Sequence, residues 1–159
     1  CSSDLQMPAL LGEELGITEE YLKIQKMRFS SRLNVDVRHD RKLEQAVTLP
    51  RFTLQPLVEN AVIHGLEPKE EGGTLILDVR KTGNYIRIRI CDNGMGIEKE
   101  RLEKIRRRLS EKQPERIGVW NIWQRLSLYT GRDDSLKIMS KKGAGTIVSI
   151  YLHRGEEDV

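Results

Sequence analysis

Cysteine is nearly absent. The two in 159 residues, Cys1 and Cys91, can build no disulfide framework and lack the spacing of metal ligands. A reducing, cytoplasmic setting is the expectation. Long apolar runs are missing too: none approaches the ~20 residues of a membrane span. Hydrophobic residues at 38%, charged residues at 32% and a mean hydropathy of -0.51 give the balance of a soluble globular protein. The opening Cys1-Ser2-Ser3-Asp4-Leu5 has neither a basic start nor an apolar core, which excludes a signal peptide and reads as a truncation point in something longer. Charge of one sign is scarce, since 27 basic against 24 acidic residues leave +3, too small an excess to argue for nucleic acid. No repeat or low-complexity run is present, and the length suits one domain.

What is there is a mixed series of helical and strand patterns. Leu11, Leu15 and Leu22, and beside them Ile17, Tyr21 and Ile24, recur at helical spacing from Leu10 to Phe29, predicting a long amphipathic helix. Leu33, Val35 and Val37 alternate with polar residues as in a strand with one buried face. Leu54 to Leu66 is a mostly apolar helix bounded by Pro50, Gly65 and Pro68. Strand patterns at Leu75 to Val79 and Ile86 to Ile90 flank Thr82-Gly83-Asn84, a hairpin turn. A polar helix from Glu98 to Glu111, a second from about Gly118 to Tyr129, and strands at Leu136-Ile138 and Thr146 to Leu152 complete the chain. Strict β-α-β alternation is lacking, so the expected layering is an α/β (α+β) two-layer sandwich: a mixed sheet of about five strands with helices on one face.

Four sites carry polar or glycine signals. In the Leu54 to Leu66 helix, Asn60 and His64 lie four apart and share a face. They read either as a hydrogen-bonded core asparagine beside a surface histidine, or as a pair aimed at a ligand. Asp92-Asn93-Gly94-Met95-Gly96 ends a strand of isoleucines; its glycines permit positive φ and close approach of a ligand, and its carboxylate can accept from an exocyclic amine such as adenine N6. Gly118-Val119-Trp120-Asn121 opens a helix, where free N–H groups suit a phosphate. Gly143-Ala144-Gly145-Thr146 precedes the last strand. Each glycine site alone is more often a plain turn. The basic stretch Lys99 to Arg108, with Glu100 and Glu103 inside it, reads as a solvated face or as a lid over phosphates.

In that order the four sites resemble the GHKL superfamily, the Bergerat-fold ATP-binding domains shared by sensor histidine kinases, gyrase B subunits, MutL proteins and heat-shock chaperone ATPases. Leu57 to Gly65 looks like the N box, and Asp92 to Gly96, Gly118 to Asn121 and Gly143 to Thr146 look like the three glycine boxes. Glu20 to Phe29 and Leu54 to Asn60 are similar to LytS/YesM-type sensor kinases. The resemblance implies that Asn60 coordinates the magnesium ion on the ATP phosphates and that Asp92 binds the adenine amine. It implies a pocket and lid shaped by His64, Gly94, Gly96, Gly118, Val119, Asn121, Gly143, Gly145 and Thr146, the lid spanning about Ile97 to Ile117. Residues 1–31 would be the end of a dimerisation region and its connecting helix, 32–155 the ATP-binding catalytic domain, and 156–159 a tail.

Departures from the pattern narrow the activity. Hydrolysing relatives place a general-base glutamate four residues before the asparagine, where this chain has Pro56, so self-contained ATP hydrolysis is not expected. Ile63 stands where a phosphate-binding lysine is frequent, and Val119-Trp120 loosens the second box. None of His39, His64 and His153 has the setting of a phospho-acceptor. The expectation is a catalytic half that holds Mg-ATP and donates its γ-phosphate to a histidine on an upstream dimerisation domain, within a homodimeric, membrane-anchored sensor that serves a response regulator. The alternatives are a non-catalytic nucleotide-sensing interaction module and, disfavoured by Pro56, a self-contained GHKL ATPase. This segment itself is expected to contact neither nucleic acid nor membrane.

Overall fold

The computed structural model describes residues 8–112 and 118–153. The chain runs β1 (Pro8–Leu10), α1 (Leu11–Phe29), a 3₁₀ turn (Ser30–Arg32), β2 (Leu33–Arg38), α2 (Arg41–Ala46) and β3 (Thr48–Pro50). It continues as α3 (Leu54–Asn60), which passes without a break into a π-helical segment (Ala61–Leu66), then β4 (Gly73–Thr82), β5 (Tyr85–Asp92), α4 (Lys99–Ser110), α5 (Gly118–Thr130), β6 (Leu136–Lys141) and β7 (Gly145–His153).

Five strands form one sheet in the order β2-β4-β5-β7-β6, with β2 parallel to β4 and every other pair antiparallel. Period-two alternation sends Leu75, Leu77, Val79, Ile86, Ile88, Ile90, Ile138 and Ile150 to a single face, where all are buried. The helices cover that face. The opposite face carries Asp78, Arg80, Arg87, Arg89, Lys137 and Tyr151. The β4–β5 hairpin closes in two residues, with Gly83 at φ 57 supplying the turn conformation that a side chain disfavours.

The helical layer is anchored by α1, α3 and α5. Leu11, Leu15 and Leu22 of α1 enter the core; of the second apolar row Tyr21 packs half-buried against it, whereas Ile17 is 42% exposed and Ile24 62%. Beneath α1, buried Glu14 accepts from the Thr53 N–H at 2.9 Å, tying α1 to the start of α3. Pro56 fits the first turn of α3 because an N–H there would have no helical partner. On α5, Ile122, Trp123 and Leu126 are buried, and the Trp123 indole donates to the Asp133 carbonyl at 2.9 Å.

The strand and helix expectations hold, with two additions. One is α2, six residues capped by the Asp40 carboxylate on the Lys42 N–H. The other is the small β1–β3 pair, in which Ala9 stands opposite Leu49.

Candidate functional site

The polar residues of α3 and the end of β5 meet in one cavity. It measures about 510 Å³ and lies between the helical layer and the sheet, lined by Asn60 from α3, Ala61, His64 and Gly65 from the π-helical segment that continues it, Asp92 and Gly96 from the β5 end, and Thr146 and Val148 from β7. Val119, the α4 segment with Glu98, Arg101 and Ile105, and the apolar Leu57, Ile90 and Ile138 complete the wall. The volume falls in the range of small-molecule sites.

Asn60 and His64 share the cavity face although the helix between them is not α. Past Asn60 the ladder widens, and the Glu67 N–H reaches back five residues to the Val62 carbonyl at 2.8 Å. Such widened turns concentrate at functional sites. The Gly65 carbonyl, near the helix end where intrahelical donors run out, instead accepts from the Met95 N–H at 2.8 Å. A Cβ on Gly65 would stand 2.8 Å from Asp92 Oδ1. The helix and the carboxylate loop are one interlocked unit.

Asp92 is half-buried at the cavity base, and its Oδ1 accepts from the Gly94 N–H at 2.9 Å. Burial raises its carboxyl above the ordinary range, opposed by the N–H groups of Gly94 and Thr146 and by the charge of Lys69. Beside it across the sheet, Thr146 is its register partner and Ser140 is the register partner of Thr146. Asp92 and Thr146 form the polar part of the floor, with Ser140 one strand behind them in the same row.

Gly94 and Gly145 are packed directly against main chain. A Cβ at 94 would lie 2.1 Å from the Gly65 carbonyl oxygen, and one at 145 would lie 1.9 Å from that of Asp92. Gly145 also holds φ 130. Gly143 donates its N–H to the Met95 carbonyl at 2.7 Å, joining the first and third glycine loops. Gly94, Gly143 and Gly145 therefore frame the cavity without lining it. Gly118 is the first residue of α5, and Asn121 on the same helix is exposed and off the cavity wall. Much of the span expected as a lid is helix α4, whose Leu102 and Ile105 are buried; residues 113–117 of that span lie outside the described residues.

Asn93 and Ser140 support the site through contacts that carry no sequence signal, and Glu59 faces away from it as its helix position predicts. Asn93, inside the aspartate loop, turns to the strand, where its Oδ1 accepts from the Thr74 N–H at 2.8 Å. Ser140 carries no motif and is legible only from its register. Glu59 lies off the cavity, held by Gln55 at 2.9 Å and close enough to α1 to help raise the Tyr21 phenol, after burial, above its ordinary value.

Residues 45–156 match the family model described as histidine kinase-, DNA gyrase B-, and HSP90-like ATPase. The chain belongs to this ATPase family. Its fold is the one seen in the catalytic domain of the histidine kinase ThkA, with a TM-score of 0.66 at 16% identity over 96% of this chain and 98% of that one. Among curated relatives it is 40% identical to the uncharacterized protein YwpD of Bacillus subtilis, over 90% of this chain and 49% of that protein. It is 34% identical to the sensor histidine kinase YesM of Bacillus subtilis, over 88% of this chain and 23% of the relative. The chain thus spans about a quarter to a half of the length of these relatives. No helix among the described residues of this ATPase-family domain is long and apolar enough to cross a membrane.

Proposed function

We propose that this domain is the catalytic half of a sensor histidine kinase: it holds Mg-ATP in the cavity between α3 and the sheet and gives up the γ-phosphate to a histidine on another segment. The observation that carries the reading is the convergence of Asn60, His64, Asp92 and Thr146 on one cavity in a chain of this ATPase family. Asp92 would accept from the adenine amine, with Thr146 beside it. Val119 and Ile105 offer apolar walls to the base, and Arg101, on the α4 wall, is placed to meet phosphate where Ile63 cannot.

Magnesium fits the residues present. Among the described residues the amide of Asn60, which lines the cavity, has no hydrogen-bond partner, and no cluster of three or more His, Cys, Asp or Glu able to hold a metal exists. The chain therefore offers an isolated amide oxygen, which suits an ion that keeps its waters and takes most other ligands from phosphates. When bound, the ion supplies neutralisation of phosphate charge. The protein's own part is orientation and exclusion of water, since phosphoryl transfer asks little covalent chemistry of the enzyme.

Pro56 occupies the place of a hydrolytic base, and Glu59 is held off the cavity by Gln55, both of which favour transfer over hydrolysis. The histidine acceptor, the dimerisation domain joined through residues 1–31, and a response regulator would belong to the longer, membrane-anchored sensor, with this domain on its cytoplasmic side. Labelled ATP, offered to this chain alone and together with the upstream helical segment of its parent, tests the reading. Label on the added segment is expected; steady ATP turnover by this chain alone would replace it with a hydrolase, and binding without transfer would leave a nucleotide-sensing module.

A further inference from the structure

Ser140 lies one strand behind the cavity, on β6, and its single hydroxyl joins three parts of the site. It accepts from the Ile97 N–H at 2.8 Å, lies 2.9 Å from the Gly145 carbonyl oxygen, and lies 2.8 Å from Thr146 Oγ1. Ile97 begins the segment leading into α4, and Gly145 belongs to the third glycine loop. Thr146 lines the cavity next to Asp92.

Proton counting gives this arrangement a direction. The Gly145 carbonyl can only accept, so it takes the Ser140 proton. Thr146 then donates its own proton to Ser140 Oγ, which leaves Thr146 Oγ1 facing the cavity with lone pairs alone. Ionised Asp92 is likewise an acceptor. The floor thereby presents two neighbouring acceptors to the ligand, an arrangement that suits an amine with two hydrogens and opposes a keto oxygen, which has none.

We propose that Ser140 is a positioning residue for base recognition: by fixing the Thr146 hydroxyl as an acceptor it selects a 6-amino over a 6-oxo purine, and through Ile97 it ties that choice to the root of the α4 segment. The inference rests on the cavity being the nucleotide site. Loss of the hydroxyl frees Thr146 to rotate and to donate to a keto group, so discrimination falls more than binding does.

The test is calorimetric titration of this chain with Mg-ATP and Mg-ITP, which differ at the 6-position. The Ser140→Ala variant is expected to lower the ATP/ITP affinity ratio by about three- to tenfold, the range of one neutral hydrogen bond. Ser140→Thr is expected to restore the ratio, and amide exchange at Ile97 is expected to quicken in Ser140→Ala. A merely structural role would weaken both nucleotides alike. In a Thr146→Val background Ser140→Ala is expected to leave the ratio unchanged, a cycle that works even if the single variant is less stable. An unaltered ratio in Ser140→Ala, or an equal further drop in the Thr146→Val background, overturns the proposal. Absence of ATP binding by the unmodified chain would instead overturn the nucleotide site itself.

Discussion

Replacing Asp92 with asparagine should move two quantities in opposite directions. In the parent chain Oδ1 is engaged by the Gly94 N–H at 2.9 Å and the carboxylate is also met by the Thr146 N–H, leaving its remaining lone pairs for a ligand. Asparagine can keep that bond through its amide oxygen, but it then turns an NH₂ toward the place of the adenine amine and sets donor against donor. The loss is one charge-assisted hydrogen bond, about 1.5–3 kcal/mol, or about a 10- to 150-fold rise in the Kd for ATP. The effect on folding has the reverse sign. Because burial holds the Asp92 carboxyl above its ordinary value, the native state binds the proton more tightly than the unfolded chain does. The ionised group is therefore a cost to folding, fully present at neutral pH and relieved as pH falls through the raised folded value. An uncharged isostere removes that cost, so nucleotide-free Asp92→Asn should melt at a higher temperature than the parent. Calorimetric titration and a thermal melt on the same samples measure both. Unchanged ATP affinity would refute the site, and a lower melting temperature would refute the electrostatic argument even if affinity fell.

ATP affinity should weaken as pH is lowered through the Asp92 titration, beginning at a higher pH than an exposed carboxylate would give, and the step should vanish in Asp92→Asn; titrations across the acid range decide it. Gly145→Ala should unfold at lower denaturant concentration by about 1–3 kcal/mol or more, since its Cβ would collide with the Asp92 carbonyl at a φ of 130. Glu14→Ala strips the buried Thr53 N–H of its acceptor and should cost about 1–3 kcal/mol in equilibrium urea unfolding. Leu126→Ala, at a fully buried position on α5, should cost about 2–5 kcal/mol in the same assay while sparing metal-dependent ATP binding.

The sheet was readable because each of its strands has a buried face, and alternation such as Ile86-Ile88-Ile90 reports that directly. The long helices were readable for the same reason at a different period. Pieces held by backbone bonds left no such trace: β1 and β3 are three residues each, and α2 has too few turns to show a stripe. At the site, residues with chemistry of their own, Asn60, His64, Asp92 and Thr146, were found by type and order. At Gly94 and Gly145 the missing side chains also admit another stretch of main chain, a packing demand that a glycine in a loop does not announce in the sequence. Ser140 was invisible because its role comes from lying opposite Thr146 on a neighbouring strand, a fact of register that no local pattern encodes.

The widened turn after Asn60 makes chain length at this point as constrained as residue identity. Each residue of an ordinary α-helix advances the azimuth by about 100°. Deleting one between Asn60 and Gly65 would regularise the ladder, yet it would swing everything downstream by about that angle. The Gly65 carbonyl would then leave the Met95 N–H, and its bare Cα would leave Asp92. Substitution is a milder change: Ile63 is 44% exposed in the same turn and can vary in side chain without altering the phase. Among homologous chains, gaps should therefore be rarer across Asn60 to Leu66 than exchanges at Ile63.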